Sequence, residues 1–236
     1  MISEQFTTLA QVNAAIVACE KCARLRQYCA QVAQEKRRAF REETYWGKPL
    51  PGFGDPQAQL LIVGLAPAAH GGNRTGRMFT GDRSGDFLYA ALHRAGFANQ
   101  PIAVARDDGL QLQAAYIAAS ARCAPPDNKP TPEEFNNCRP YLSEELRLLK
   151  HVRVIVALGK IAFDNVLVVL ADRGVAIPRP RPAFGHEVVH QFERYTLIGS
   201  YHPSQRNTQT GLLTSAMFDR IFQRAREIIR ASAVTG

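Results

Sequence analysis

The chain has 236 residues, of which 46% are hydrophobic, and its 29 Lys and Arg against 21 Asp and Glu give a net charge of +8. That length buries a substantial core, and with no long linker, repeat or low-complexity tract it fits one domain spanning 1–236. No run is apolar enough to span a bilayer and no signal-peptide core opens the chain, so a soluble cytoplasmic protein is expected, and the basic balance points to nucleic acid as the partner.

Cys19 and Cys22 form a C-x-x-C on an N-terminal helix or turn. Next, Lys36-Arg37-Arg38-Ala39-Phe40-Arg41 offers phosphate contacts or a solvated helix face. The apolar run Gln59-Leu60-Leu61-Ile62-Val63 predicts a strand over 59–64 that stops at a glycine-rich block, Gly64 to Asp82. A strand feeding such a loop is binding architecture, because ligands of α/β sheets sit beyond the carboxyl ends of strands. The block has neither the Gly-Lys-Ser/Thr of a Walker loop nor G-x-G-x-x-G. It carries Phe79, suited to gripping a flat ring, and Asp82, suited to facing a developing positive charge.

Ser84-Gly85-Asp86 opens a predicted helix that runs to Ala95 and closes at Gly96. A strand is expected over 115–120. Thr131-Pro132-Glu133-Glu134 reads as a capped helix start running to Leu149. Val152 to Leu158 is a continuous apolar run ending at Gly159, the pattern of a strand buried on both faces. A helix over 160–170, strands over 187–192 and 195–200, and a closing helix over 212–229 complete the reading. Strand and helix in alternation predict a three-layer α/β/α domain around a mostly parallel sheet. The loop Arg179-Pro180-Arg181-Pro182 is rigid and offers two more phosphate contacts.

Four cysteines form a second constellation: Cys19, Cys22, Cys123 and Cys138. In a reducing compartment they read as metal ligands, and zinc and a 4Fe-4S cluster both accept four thiolates, so spacing leaves the metal open. Cys29 reads as a small apolar residue. A third constellation, Gly199 to Asn207, places His202 on a loop at the end of a strand, where polar followers suit loop chemistry.

The loop GLAPAAHGGNRTGRMFTGD, the segment RCAPPDNKPTP at 122–132, the stretch SYHPSQRNTQTG at 200–211 and the four cysteines together resemble the uracil-DNA glycosylase superfamily, most closely its family 5, the broad-specificity iron-sulfur branch. The resemblance runs from about Cys19 to Phe218. It implies a 4Fe-4S cluster on Cys19, Cys22, Cys123 and Cys138, a base stacked on Phe79, His202 at the leaving base, and Asp82 and Asn128 in catalysis. It also implies a monofunctional DNA repair hydrolase in base excision repair, a monomer associated with the nucleoid, that removes uracil and other deaminated bases such as hypoxanthine. A narrower family 4 enzyme or a non-catalytic iron-sulfur DNA-binding protein are the competing readings.

In the first motif, Gly64, Leu65 and Ala66 line the base site without a polar side chain, and Ala118-Ala119-Ser120 lacks the asparagine with which many relatives read uracil. Backbone groups and Asn128 are expected to substitute, leaving an apolar, less discriminating pocket. Arg206, Asn207 and Gln209 are candidates to wedge into the gap left in the duplex.

Overall fold

The central strands are apolar on both faces. In the computed structural model, which describes residues 6–234 with side chains to residue 232, β2 (Leu60–Gly64), β3 (Ala115–Ala119), β4 (Val154–Leu158) and β6 (Tyr195–Ser200) are buried along their whole length. Such runs form strands that are covered by helices on both sides. These four are parallel. Short antiparallel strands close the edges, β1 (Phe53–Gly54) on β3 and β5 (Val189–Phe192) on β6, giving the order β1-β3-β2-β4-β6-β5. The first five and last two residues of the expected 1–236 domain lie outside the described residues.

Alternation along each strand divides the core in two. Leu60, Ile62, Val154 and Val156 pack with Leu88 and Leu92 of α4 (Arg83–Arg94) and with Phe218 and Phe222 of α8 (Ser215–Val234). Leu61, Val63, Ile155 and Ala157 face the other way, onto Leu142 and Leu146 of α5 (Pro132–Leu148) and Phe163 and Val166 of α6 (Lys160–Asp172). The sheet between two helical layers is the three-layer arrangement that the sequence predicts. Outside it, α1 (Leu9–Val17) packs Val12 and Ile16 against Tyr141 of α5, and α2 (Ala23–Glu35) begins directly after Cys22.

Helix ends follow local chemistry. Thr131 and Glu134 make a reciprocal capping box with Pro132 in the first turn of α5. Asp82 caps α4, and Gly96 follows that helix at φ +74°. Two elements differ from expectation. The glycine-rich block contains a one-turn helix, α3 (Gly72–Thr75), closed by Gly76 at φ +78°. The helix expected over 212–229 starts only at Ser215, where the Thr214 hydroxyl accepts from the Met217 N–H at 3.3 Å, and it is preceded by a separate short helix, α7 (Gln205–Gln209), with Gly211 at φ +74° turning the chain between the two.

Strand order reverses at β2. The chain passes from β2 to β3 on one side and later to β4 and β6 on the other, which opens a crevice at the carboxyl ends of the strands. There Gly64 and Leu65 give their carbonyls to the N–H groups of Ser120 and Ala121, each at 2.9 Å, and Gly159 donates to the Ser200 carbonyl at 2.7 Å.

Candidate active site

Three separate loops meet at this crevice. The first leaves β2, and its Phe79 stands at φ +52°, a left-handed backbone that is costly for an aromatic residue and characteristic of functional sites. The ring folds back over Gly64 so closely that a Cβ there would lie 2.9 Å from Cζ. The Phe79 carbonyl crowds Gly85 more tightly still, since a Cβ there would lie 1.8 Å from its oxygen. Glycine at 64 and 85 thus fixes the position of the ring.

The third loop, after β6, brings His202 to the same place. Its imidazole lies 6.1 Å from the Phe79 ring, tilted by 32°. Burial alone pushes the imidazole pKa down to about 4, so the ring is neutral at physiological pH. Neither ring nitrogen has a protein partner among the described residues. The loop itself is held by Asn207, whose Nδ2 donates to the His202 carbonyl at 2.8 Å. Asn207 therefore faces inward and positions His202, whereas a wedge would project outward. Arg206 and Gln209 are exposed on α7.

Asp82 does two jobs at the amino end of α4. One carboxylate oxygen accepts from the Gly85 N–H at 2.9 Å. The other lies against Gly71, where a Cβ would run into it. Burial pushes the carboxyl pKa up, while the N–H groups of Gly85 and Ser84 and the Arg74 guanidinium pull it down and nearby Asp86 adds to the rise. Arg74 is itself fixed by ion pairing with Glu43, by the Gly81 carbonyl at 2.9 Å, and by lying over the Phe40 ring at 3.9 Å.

The second loop leaves β3 and carries Asn128 in a tight turn, Pro126–Asn128, with Asp127 and Asn128 at φ +53° and +56°. The Asn128 side chain is exposed and bonds to no other side chain among the described residues. Leu65 and Ala66 are half-buried, and the Ser120 hydroxyl points at the Gly64 carbonyl at 3.2 Å. The mouth between β2 and β3 therefore presents backbone and apolar surface.

The cysteines gather behind these loops. Cys138 on α5 is pushed up to about 11, first by burial, with a backbone hydrogen bond at Arg122 and the Arg122 charge opposing and Cys22 and Cys19 adding to the rise. Cys22 is raised by burial and feels Cys19, while Cys123 is raised by a hydrogen bond with Cys29 and by burial and feels Cys138. All four expected ligands are thus electrostatic neighbours. Among the described residues no three His, Cys, Asp or Glu side chains are placed to hold a single metal ion. Cys29, expected as a small apolar residue, is buried with Leu25 and Ala124 but also hydrogen bonds, its thiol donating to the Ala124 carbonyl at 3.5 Å. Arg122, fully buried beside Cys138, pairs with Glu145, yet its Nε and Nη1 have no partner.

A model of the Uracil DNA glycosylase superfamily matches residues 51–226, which takes in the sheet and all three loops. The chain belongs to this superfamily. It is 52% identical over 230 residues to a type-5 uracil-DNA glycosylase of Mycobacterium leprae, covering 97% of this chain and 99% of that one. A type-5 uracil-DNA glycosylase of Thermus thermophilus is 47% identical over 219 residues, 90% of this chain and 94% of its own. A type-4 uracil-DNA glycosylase of Archaeoglobus fulgidus is 28% identical over 156 residues, 66% of this chain and 70% of its own.

For this superfamily member, the loop ends are where sequence reasoning located the site, but several supporting residues carried no sequence signal. Gly71 is one of many glycines in its loop. His70 accepts or donates across 3.0 Å to the Tyr45 hydroxyl, and burial together with Arg37 and Arg74 lowers its pKa. Asp108 grips Arg77 through both carboxylate oxygens, at 2.9 and 2.7 Å. These partners stand far from one another in sequence, and no spacing reveals such pairs. Of the basic segments, Arg37, Arg38, Arg41 and Arg179 are exposed, while Arg181 is tied to the Asp164 carbonyl at 2.7 Å.

Proposed function

We propose that the protein is a DNA repair glycosylase that hydrolyses the bond between uracil, or another deaminated base, and deoxyribose. The observation that carries this reading is the meeting of Phe79 and His202 at one crevice in a superfamily member, with Asp82 capping α4 at the end of the loop that carries Phe79. A base within a duplex is out of reach of any such crevice, so the nucleotide must be extruded, at a cost of a few kcal/mol that is least at mispairs such as U opposite G. Stacking on Phe79 recovers about 1–3 kcal/mol.

In the reaction the bond from C1′ to the base nitrogen breaks and its electron pair leaves with the base, while water adds to C1′ and gives up a proton. Negative charge grows on the base and positive charge on the sugar. The neutral His202 imidazole donates an N–H to the base oxygen, which stabilises the first charge without requiring a proton from solvent. The free oxygen of Asp82 faces the sugar cation and orients the water. Asn128 is left to meet the base or the water as its loop closes over DNA. Arg206 is left to enter the gap in the duplex.

Breadth follows from what the pocket lacks. Leu65 and Ala66 offer no polar side chain, and Ser120 spends its hydroxyl on Gly64, so few groups are available to reject hypoxanthine or xanthine. The proposal includes action on chromosomal DNA in the cytoplasm, as a monomer.

The reading includes a 4Fe-4S cluster on Cys19, Cys22, Cys123 and Cys138. The donor set suits it in kind, being four thiols that feel one another's charge, although among the described residues no three are placed to hold one metal ion; the unpartnered N–H groups of buried Arg122 also favour negative charge beside Cys138. When bound, the cluster cross-links α1, α2, the β3 loop and α5, a structural contribution.

The test is incubation of purified protein with duplexes containing one uracil, hypoxanthine or xanthine, followed by alkaline cleavage of abasic sites. Strand scission at all three supports the reading. Scission at uracil alone would restrict it to the narrow type, and none at any would refute it.

A further inference from the structure

A cavity of about 810 Å³ opens away from the crevice, between α1, the segment 46–53 and the Gly76–Arg77 end of the first loop. Arg26, Lys48, Arg77 and Arg106 line it, against the single acid Glu20. Two of these cations are already neutralised. Arg26 is held by Glu20 at 3.2 Å and the Gly47 carbonyl at 3.0 Å, and Arg77 by Asp108.

Lys48 and Arg106 are different. Both are exposed, neither has a carboxylate partner among the described residues, and both lie over the Trp46 ring, with ring-centre distances of 5.9 Å for Lys48 and 4.6 Å for Arg106. A cation on an aromatic face keeps its full charge and its in-plane donors, so the indole fixes the heads without satisfying them. The supports are rigid. Asp108 anchors the loop of Arg106 by accepting from the N–H groups of Val104, Ala105 and Leu110 as well as from Arg77. The Trp46 backbone N–H donates to the Arg74 carbonyl at 2.9 Å, its indole Nε1 donates to the Pro49 carbonyl at 3.3 Å, and a Cβ on Gly76 would meet the indole at 3.0 Å.

The cleft therefore shares its wall with the loop that carries Phe79. We propose that Lys48 and Arg106, braced on Trp46, grip backbone phosphates of the DNA strand flanking the extruded nucleotide. The proposal rests on the glycosylase reading for its ligand. Charge sign, two preorganised unpaired cations and continuity with the base-stacking loop all favour a nucleic acid backbone over an acidic protein surface.

The test uses fluorescence anisotropy on duplexes carrying a non-cleavable uracil analogue, at several salt concentrations. Each lost phosphate contact lowers the slope of log affinity against log salt by about 0.9. The double variant Lys48→Ala/Arg106→Ala should lower it by about two contacts, with thermal midpoint preserved because both side chains are exposed. Trimming the duplex stepwise on each side of the analogue should weaken the wild type sharply on one side, and the double variant should not register that step. An unchanged slope and an unchanged length profile, with uracil cleavage intact, would overturn the cleft alone. Failure of the wild type to cleave uracil-containing DNA would overturn the underlying reading and the proposal with it.

Discussion

The Phe79 ring and the His202 imidazole stand 6.1 Å apart at a 32° tilt, brought together from loops that leave different strands. In the proposed reaction a base stacked on Phe79 would present its edge to a histidine that burial keeps neutral and that has no protein partner among the described residues. The proposed aromatic grip and leaving-group donor would thus act as one preorganised unit.

Phe79→Ala should weaken capture of the extruded base by about 1–3 kcal/mol while leaving binding to undamaged duplex unchanged. Gly64→Ala should have a similar effect with the ring intact, because the new Cβ would stand 2.9 Å from Cζ of Phe79. Fluorescence of 2-aminopurine placed beside the uracil reports extrusion directly, and an undiminished signal in both variants would remove Phe79 from the base site.

The pH dependence follows from His202. Its pKa of about 4 lies below the ordinary histidine value of 6.5, so the unfolded chain binds more protons between those values. The stabilising effect of keeping this ring neutral is fully present above about pH 6.5 and is lost as pH falls toward 4. NMR titration of the imidazole should find no protonation between pH 6 and 8, and His202→Asn should flatten the acid side of the stability curve. Asp82 contributes with the opposite sign. Its raised pKa means that the ionised form the proposed reaction uses is lost on acidification at a higher pH than for an ordinary carboxylate.

Gly71 controls Asp82. A side chain at 71 collides with the outer carboxylate oxygen, so Gly71→Ala should depress the single-turnover rate nearly as far as Asp82→Ala does. The two differ in stability. Asp82→Ala removes the cap of α4 and should cost about 0.5–2 kcal/mol on that account, whereas Asp82→Asn keeps a good capping group and should retain the thermal midpoint.

Protein purified without oxygen should be brown and contain iron, and Cys138→Ala or Cys123→Ala should lose iron and thermal stability together. Cys29→Ser, which keeps a small hydrogen-bonding group beside Leu25 and Ala124, should leave the iron content unchanged, because Cys29 is not among the four proposed ligands. Stoichiometric zinc without iron in the wild type would contradict the cluster.

Much of this site was legible in the sequence because it is written locally. Apolar runs of about five residues gave the buried strands, Thr131-Pro132 with Glu134 gave the start of α5, and Gly64, Phe79 and His202 lie at strand ends where ligands bind. Four other features were not legible. Asn207 bonds back to the carbonyl of His202, Gly71 lies against Asp82 across the loop, Arg122 pairs with Glu145 from another element, and the turn between α7 and α8 takes a left-handed Gly211. Each of these depends on a three-dimensional meeting that hydrophobic period and motif spacing do not encode.

The central claim is that opposite charges in the transition state have separate stabilisers, His202 for the base and Asp82 for the sugar. Single-turnover kinetics with saturating enzyme on U:G and hypoxanthine:T duplexes test it most directly. Asp82→Asn should slow both substrates by on the order of a hundred- to a thousandfold, and His202→Ala should cost most for the base with the poorer anion. Both variants should still bind the DNA, since phosphate contacts supply most of the affinity. Near-normal rates for Asp82→Asn on both substrates would contradict the account and move the charge-stabilising role to Asn128.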